Sequence, residues 1–238
     1  MSENINNPPN QILTALPQSQ YQRIALHLEP VNLTSGEILL EPREEVADIY
    51  FPQTAMISLV SIMKDGSTTE IGLIGNEGMI GLPAILGGKN TTSRSIVQIS
   101  GTALKIPASI ISREFCQGQR FQQLILLYMQ ALLTQISQSA ACNRQHKIEQ
   151  RLARWLLSVH DCVMQNEIPL TQEFIANMLG TRRSGVTVAA GILQRDGIIS
   201  YSRGKITILN HKALEATSCE CYRLVQNEFI RLLGSRRG

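Results

Sequence analysis

Between residues 31 and 108 the apolar positions come in short runs broken by turn-forming residues. The runs are Glu37–Leu40, Asp48–Phe51, Ala55–Met63, Thr69–Ile74, Arg94–Ile99 and Thr102–Ile106. The breaks include Thr34-Ser35-Gly36, Lys64-Asp65-Gly66-Ser67, Gly75-Asn76-Glu77-Gly78 and Gly87-Gly88-Lys89-Asn90. Strands of this length and spacing predict an antiparallel sandwich or barrel. Ahead of them, Ile12, Leu13, Leu16, Tyr21, Ile24 and Leu28 predict an entry helix within 11–30, interrupted at Pro17. Behind them, 109–115 reads as a short helix, and the pattern then changes to a long helical period from Phe121 to about Ala141 with almost no charge. Phe121, Ile125, Tyr128, Leu132 and Ile136 trace one stripe, which Leu124, Leu127 and Leu133 widen. One apolar face suits the barrel and another a partner helix, so the stripe is assigned to a dimer interface. The polar break Asn143-Arg144-Gln145-His146-Lys147 reads as a hinge.

After the hinge, Leu152, Trp155, Leu156 and Val159 recur at helical spacing within Ile148–Val163. The stretch LTQEFIANMLGTRRSGVTVAAGIL, residues 170–193, then predicts two helices joined by a tight turn. Thr171 can cap the first, with Glu173 near its positive end. Gly180 stands where the backbone must turn left-handed. The second helix is expected from about Thr181 to Gln194, with Val186, Ala189, Ile192 and Leu193 inward. Arg182, Arg183, Ser184 and Thr187 then lie at its N-terminal end, where a helix-turn-helix presents side chains to bases and phosphates. Ile198–Tyr201 and Lys205–Leu209 flank Arg203-Gly204 and predict a hairpin, a wing with Arg203 and Lys205 placed for phosphate. Residues 211–233 read as C-terminal helices followed by a basic tail, Ser235-Arg236-Arg237.

Composition sharpens this division. Residues 1–149 hold 10 Lys/Arg against 12 Asp/Glu, whereas 150–238 hold 12 against 7, so the net charges are −2 and +5. A mildly acidic half followed by a basic one fits a sensing domain before a nucleic-acid domain. An apolar content of 43% without a membrane-length apolar run, and a polar start MSENINNPPNQ, point to a cytoplasmic globular protein with no signal peptide and no membrane partner. Cysteines at 116, 142, 162, 219 and 221 form no C-x-x-C pair and read as free thiols. On a helix Cys219 and Cys221 would diverge, so shared metal ligation is not expected, and His27, His146, His160 and His211 show no ligand spacing. No metal ligand or catalytic residue is assigned. The glycines at 72, 75, 78 and 81 do not make G-x-G-x-x-G, and no G-x-S-x-G or H-E-x-x-H is present.

A small β-barrel, a long apolar helix, a hinge and a winged helix-turn-helix, in that order, resemble the Crp/Fnr family of bacterial transcription regulators. The resemblance spans about 20–210 and is strongest over LTQEFIANMLGTRRSGVT and the wing YSRGKITIL. It implies an α+β fold: a cyclic-nucleotide-binding-like antiparallel β-barrel of jelly-roll type, a long dimerisation helix and a C-terminal winged helix-turn-helix. The implied division is a polar tail and start of the entry helix at 1–19, a sensor barrel at 20–118, a dimer helix at 119–142 and a DNA-binding domain at 143–238. The implied partners are double-stranded DNA, a second copy of the chain and RNA polymerase.

The family's phosphate-binding cassette matches here as Gly81-Leu82 and Arg94-Ser95. Gly81, Arg94 and Ser95 are therefore the effector-binding candidates. Leu82 stands where an acidic residue would receive ribose hydroxyls, which disfavours a cyclic nucleotide, and no cofactor is assigned. The family's reading set falls on Arg183-Ser184-Gly185, with the arginine retained for a guanine and Ser184 in place of the acidic reader. The expected DNA contacts are Thr171, Arg182, Arg183, Ser184, Thr187, Arg203 and Lys205. The alternative is a nucleotide-binding signalling module whose winged domain contacts protein rather than DNA.

Overall fold

The computed structural model describes residues 10–234. The polar tail at 1–9 and the basic tail from Ser235 lie outside the described residues. Two short helices, α1 (Gln11–Thr14) and α2 (Gln18–Ala25), stand either side of Pro17. Asn10 caps α1 with its side-chain oxygen, and its amide nitrogen donates to the carbonyls of Pro52 and Gly78, which fastens the entry segment to the barrel.

The barrel is built from β1 (Glu29–Leu33), β2 (Ile38–Leu40), β3 (Asp48–Pro52), β4 (Met56–Ile62), β5 (Thr68–Ile74), a short helix α3 (Leu82–Ile85), β6 (Arg94–Ile99) and β7 (Gly101–Pro107). Every pairing is antiparallel, in two sheets ordered β1-β7-β3 and β2-β6-β4-β5. Leu33, Ile57, Ile74, Val97 and Ala103 fill the space between them. The first strand was not expected. The sequence pattern places residues 29–30 at the end of a helix, yet they pair with Lys105 and Leu104, and Pro30 is tolerated because β1 is an edge strand.

Next come α4 (Ala108–Cys116), α5 (Arg120–Gln145) and α6 (Ile148–Val163). The expected hinge at 143–147 shrinks to two residues. Asn143, Arg144 and Gln145 continue α5, and only His146 and Lys147 separate it from α6. The stripe assigned to a dimer interface also needs correction. Phe121, Ile125, Tyr128 and Leu132 are buried within one chain, and Ile136 packs against the same cluster. They pack on the wall of the barrel, where Gly78 leaves room for Tyr128. A Cβ on Gly78 would sit 2.4 Å from the Tyr128 hydroxyl, whereas at Gly72 a Cβ would only make ordinary contact with Leu132, at 3.6 Å. The Tyr128 hydroxyl donates to the Met79 carbonyl at 3.3 Å, and Gln135 Nε2 to that of Leu73 at 3.1 Å. The large apolar side chains that α5 leaves to solvent are Leu126 and Leu133, seven residues apart.

The chain then forms β8 (Glu167–Pro169), α7 (Gln172–Leu179), α8 (Arg183–Arg195), β9 (Ile199–Ser202), β10 (Lys205–Ile208), α9 (His211–Thr217) and α10 (Cys221–Leu233). Leu214 of α9 joins the core of the winged head, while α10 returns to α5 and buries Val225 and Phe229 in the cluster that holds the α5 stripe. Buried Asp161 of α6 accepts from Tyr222 Oη at 3.0 Å and from Gln226, tying α10 to the head as well. No helix among the described residues is long and apolar enough to cross a membrane.

Candidate nucleic-acid interface

Three helices and a three-stranded sheet position the expected contact residues. Leu152, Trp155 and Leu156 of α6, Ile175, Ala176 and Leu179 of α7, and Val186, Ala189 and Leu193 of α8 share one core. Thr171 caps α7, its hydroxyl oxygen accepting from the Phe174 amide at 3.2 Å, with Glu173 in the first turn. Gly180 ends α7 at φ 57°, in the left-handed region, and the Thr181 amide then bonds back to the Ala176 carbonyl at 2.9 Å. The second helix starts two residues later than expected, with Arg182 extended at the N-cap position.

Arg182, Arg183, Ser184 and Thr187 are all exposed around the first turn of α8. Neither arginine has an ion-pair partner among the described residues. Thr187 is more committed than expected. Its hydroxyl lies 2.7 Å from Gln172 Oε1 and 3.1 Å from the Arg183 carbonyl, and its single hydrogen goes to one of them.

The wing gains a strand the sequence reading missed. β8 pairs with β10, giving the order β8-β10-β9. The Ile168 side chain that β8 contributes is buried in the head's core, but a three-residue strand is too short to show a period of two. Arg203 and Gly204 hold φ of 49° and 76° at the hairpin tip, the geometry of a two-residue turn with both central residues left-handed. Arg203 is exposed there. Lys205 differs from the expectation of a free cation. Its Nζ lies 2.6 Å from Glu167 Oε1 on β8, so its charge already faces a carboxylate within the wing. Thr171 stands beside the wing, 3.7 Å from where a Cβ on Gly204 would be.

The head rests on the barrel. Met56, Val60 and Leu73 of the barrel belong to the same apolar cluster as Trp155 and Met178. Trp155 Nε1 donates to Glu70 Oε1 at 2.9 Å, and Gln98 Nε2 lies 3.7 Å from Met178 Sδ. A cleft of about 700 Å³ separates the β4–β5 hairpin at Gly66–Thr69 from the α7–α8 turn, with Arg182 and Ser184 on its far wall.

Two of the three effector candidates, Arg94 and Ser95, face opposite ways, being successive residues on β6. Ser95 is 1% exposed, whereas Arg94 faces the groove between barrel and head with Ile96 and Gln98. The Arg94 guanidinium forks onto Glu41, with Nη2–Oε1 at 2.8 Å and Nε–Oε2 at 3.0 Å. An incoming phosphate would have to displace that pair. Gly81 holds φ 105°, and a Cβ there would come within 2.5 Å of Ile49 Cδ1. That backbone conformation is one L side chains rarely adopt.

Comparison with known proteins agrees with this architecture. Residues 30–117 match the cyclic nucleotide-binding domain family, and 150–217 match the Crp-like helix-turn-helix domain. No curated protein matches the sequence. A solved structure similar to this chain is that of a putative transcriptional regulator of the Crp/Fnr family from Eubacterium rectale. It has 21% identity and a TM-score of 0.69, with 87% of this chain and 96% of that one covered. FixK2 from Bradyrhizobium japonicum is similar at 14% identity and a TM-score of 0.69, covering 81% and 98%. The c-di-GMP responsive global regulator CLP of Xanthomonas campestris is similar at 12% identity and a TM-score of 0.66, covering 81% and 99%. At these identities the likeness is one of fold.

Proposed function

The chain belongs to the Crp/Fnr family of transcription regulators, with a helix-turn-helix DNA-binding domain and no enzymatic role, and from that premise we propose that it acts as a homodimer reading an inverted repeat. The observation that carries this reading is the pair Arg182 and Arg183, exposed and without ion-pair partners among the described residues at the start of α8. Arg183 pairs with a guanine edge, Arg182 and Ser184 contact adjacent bases or phosphates, and Arg203 holds phosphate from the wing. Thr171, Thr187 and Lys205 take supporting places, since each already has a partner within the head.

Two copies join along the exposed Leu126–Leu133 line of α5, which sets the recognition helices about 34 Å apart on successive major grooves. A signal from the barrel reaches the head through the Glu70–Trp155 contact and the cleft below the α7–α8 turn. The Glu41–Arg94 pair and the apolar Leu82 speak against a cyclic nucleotide as that signal. RNA polymerase is the expected protein partner and the cytoplasm the expected location.

Fluorescence anisotropy on a labelled random-sequence duplex across a salt series tests DNA binding before any operator is known. Affinity must fall steeply and linearly in log–log form, with a slope near −0.9 per phosphate contacted. A flat response would favour a head that binds protein.

A further inference from the structure

The cysteines left aside in the sequence reading converge. Cys142 and His146 lie four residues apart, one helical turn, at the end of α5. Cys219 follows the extended Ser218 between α9 and α10, and Cys221 opens α10. Because Cys219 is not helical, the expected divergence of Cys219 and Cys221 does not occur. One donor atom from each of the four residues lies within 4.8 Å of all the others. The three cysteines are at most 3% exposed, and they form an isolated cluster apart from the two large cores.

We propose that Cys142, His146, Cys219 and Cys221 form a closed Cys3His site for a zinc-class divalent cation, clamping the end of α5 to the start of α10.

The spacings suit a tetrahedron. With metal–sulfur and metal–nitrogen bonds of about 2.3 and 2.05 Å, tetrahedral edges are about 3.8 Å for S···S and about 3.6 Å for S···N. The Cys142–Cys219 sulfurs are 3.5 Å apart, and Cys221 Sγ is 3.5 Å from His146 Nδ1. The surroundings match what a ligating histidine needs. With Nδ1 turned to the sulfurs, the other ring nitrogen, Nε2, lies 3.2 Å from Glu220 Oε1, a carboxylate that fixes tautomer and orientation. Gln138 Nε2 lies 3.1 Å from Cys221 Sγ and can donate to a thiolate. Binding converts three thiols to thiolates and releases three protons, leaving the site one negative charge. Arg154 and Arg151 stand close enough to Cys142 to offset it. A Cys142–Cys219 disulfide would use two of these residues and leave Cys221 and the His146–Glu220 pair without purpose.

Placement gives the site a consequence. His146 is both a ligand and the C-cap of α5, next to the two-residue link into the head. A bound cation therefore fixes the elbow between the dimer helix and the DNA-binding head. That consequence rests on the DNA-binding reading, whereas the metal site itself does not.

The test uses the full chain purified under reducing conditions. Elemental analysis is expected to find one zinc per chain. Cobalt(II) added to the chelator-stripped protein is expected to give the visible absorption of tetrahedral thiolate-bound cobalt, which zinc then bleaches. C142S, C219S and C221S should each lose that absorption, and C116S, at an exposed cysteine, should keep it. H146Q should weaken cobalt binding at least tenfold. Folding of each variant is checked by circular dichroism, and any that does not fold is replaced by H146Q as the deciding variant. Substoichiometric metal together with no cobalt absorption on reduced, folded wild-type protein would overturn the proposal. So would a mass two hydrogens short on the protein purified under reducing conditions, with peptide mapping that joins Cys142 to Cys219. None of these readouts depends on DNA, so a failure here is distinct from a failure to bind DNA.

Discussion

Replacing Leu126 and Leu133 together by serine should separate the two copies without unfolding either. These side chains are 50% and 64% exposed in the single chain, so about 1.1 leucine equivalents per copy remain to be buried by a partner. At about 1.5–3 kcal/mol per fully buried leucine, and with each residue counted twice across a two-fold interface, the loss is about 3–7 kcal/mol. The dissociation constant should therefore rise at least about a hundredfold. Sedimentation equilibrium over a wide concentration range reads this directly. Ile125→Ala is the contrasting perturbation. Its side chain is fully buried against the barrel, so it should cost about 2–5 kcal/mol of folding stability and lower the thermal midpoint while leaving self-association largely intact. A wild-type chain that stays monomeric at all concentrations would rule out the Leu126–Leu133 interface. So would a double variant that dimerises as before while Ile125→Ala dissociates.

Arg183→Ala should weaken binding to a selected operator by about 1–3 kcal/mol and relax preference at one base pair, read by competition against single-base operator variants. An equal loss on all DNA would make Arg183 a phosphate contact. Arg203→Ala should reduce the salt slope by about one and leave base preference alone, checked in the anisotropy salt series. Tyr222→Phe removes a hydrogen bond to buried Asp161 and should cost about 1.5–3 kcal/mol of stability, measured by urea unfolding. Burial and the neighbouring His211 hold the His160 imidazole below its usual 6.5. The unfolded chain then binds more protons than the folded one below that pH, so stability is retained above about 6.5 and lost as pH falls toward the lowered value. His160→Gln should flatten that acid-side loss in unfolding curves taken across the pH range.

The winged head was the most legible part of the sequence because its signals are local. The Thr171 cap, the left-handed Gly180 and the Arg203-Gly204 turn each declare themselves within a few residues, and each takes the expected conformation. The barrel strands were legible for the same reason, except β1, whose proline disguised an edge strand. What failed depended on partners distant in sequence. Nothing near Phe121 says whether its stripe meets the barrel or a second chain; the room that Gly78 leaves for Tyr128 lies on the barrel, 50 residues away. Arg94 pairs with Glu41, 53 residues away, and Lys205 with Glu167, 38 residues away. The cysteine cluster joins positions 77 residues apart. Its local half, Cys142 with His146 at one-turn spacing, was the available signal.

The most direct test of the central claim is selection and sequencing of random duplex DNA bound by the purified protein. A homodimeric reader of this kind should enrich an inverted repeat whose half-site centres lie about 10 base pairs apart, or a multiple of that. Wild-type protein that enriches no sequence and binds random DNA without salt dependence would contradict that claim.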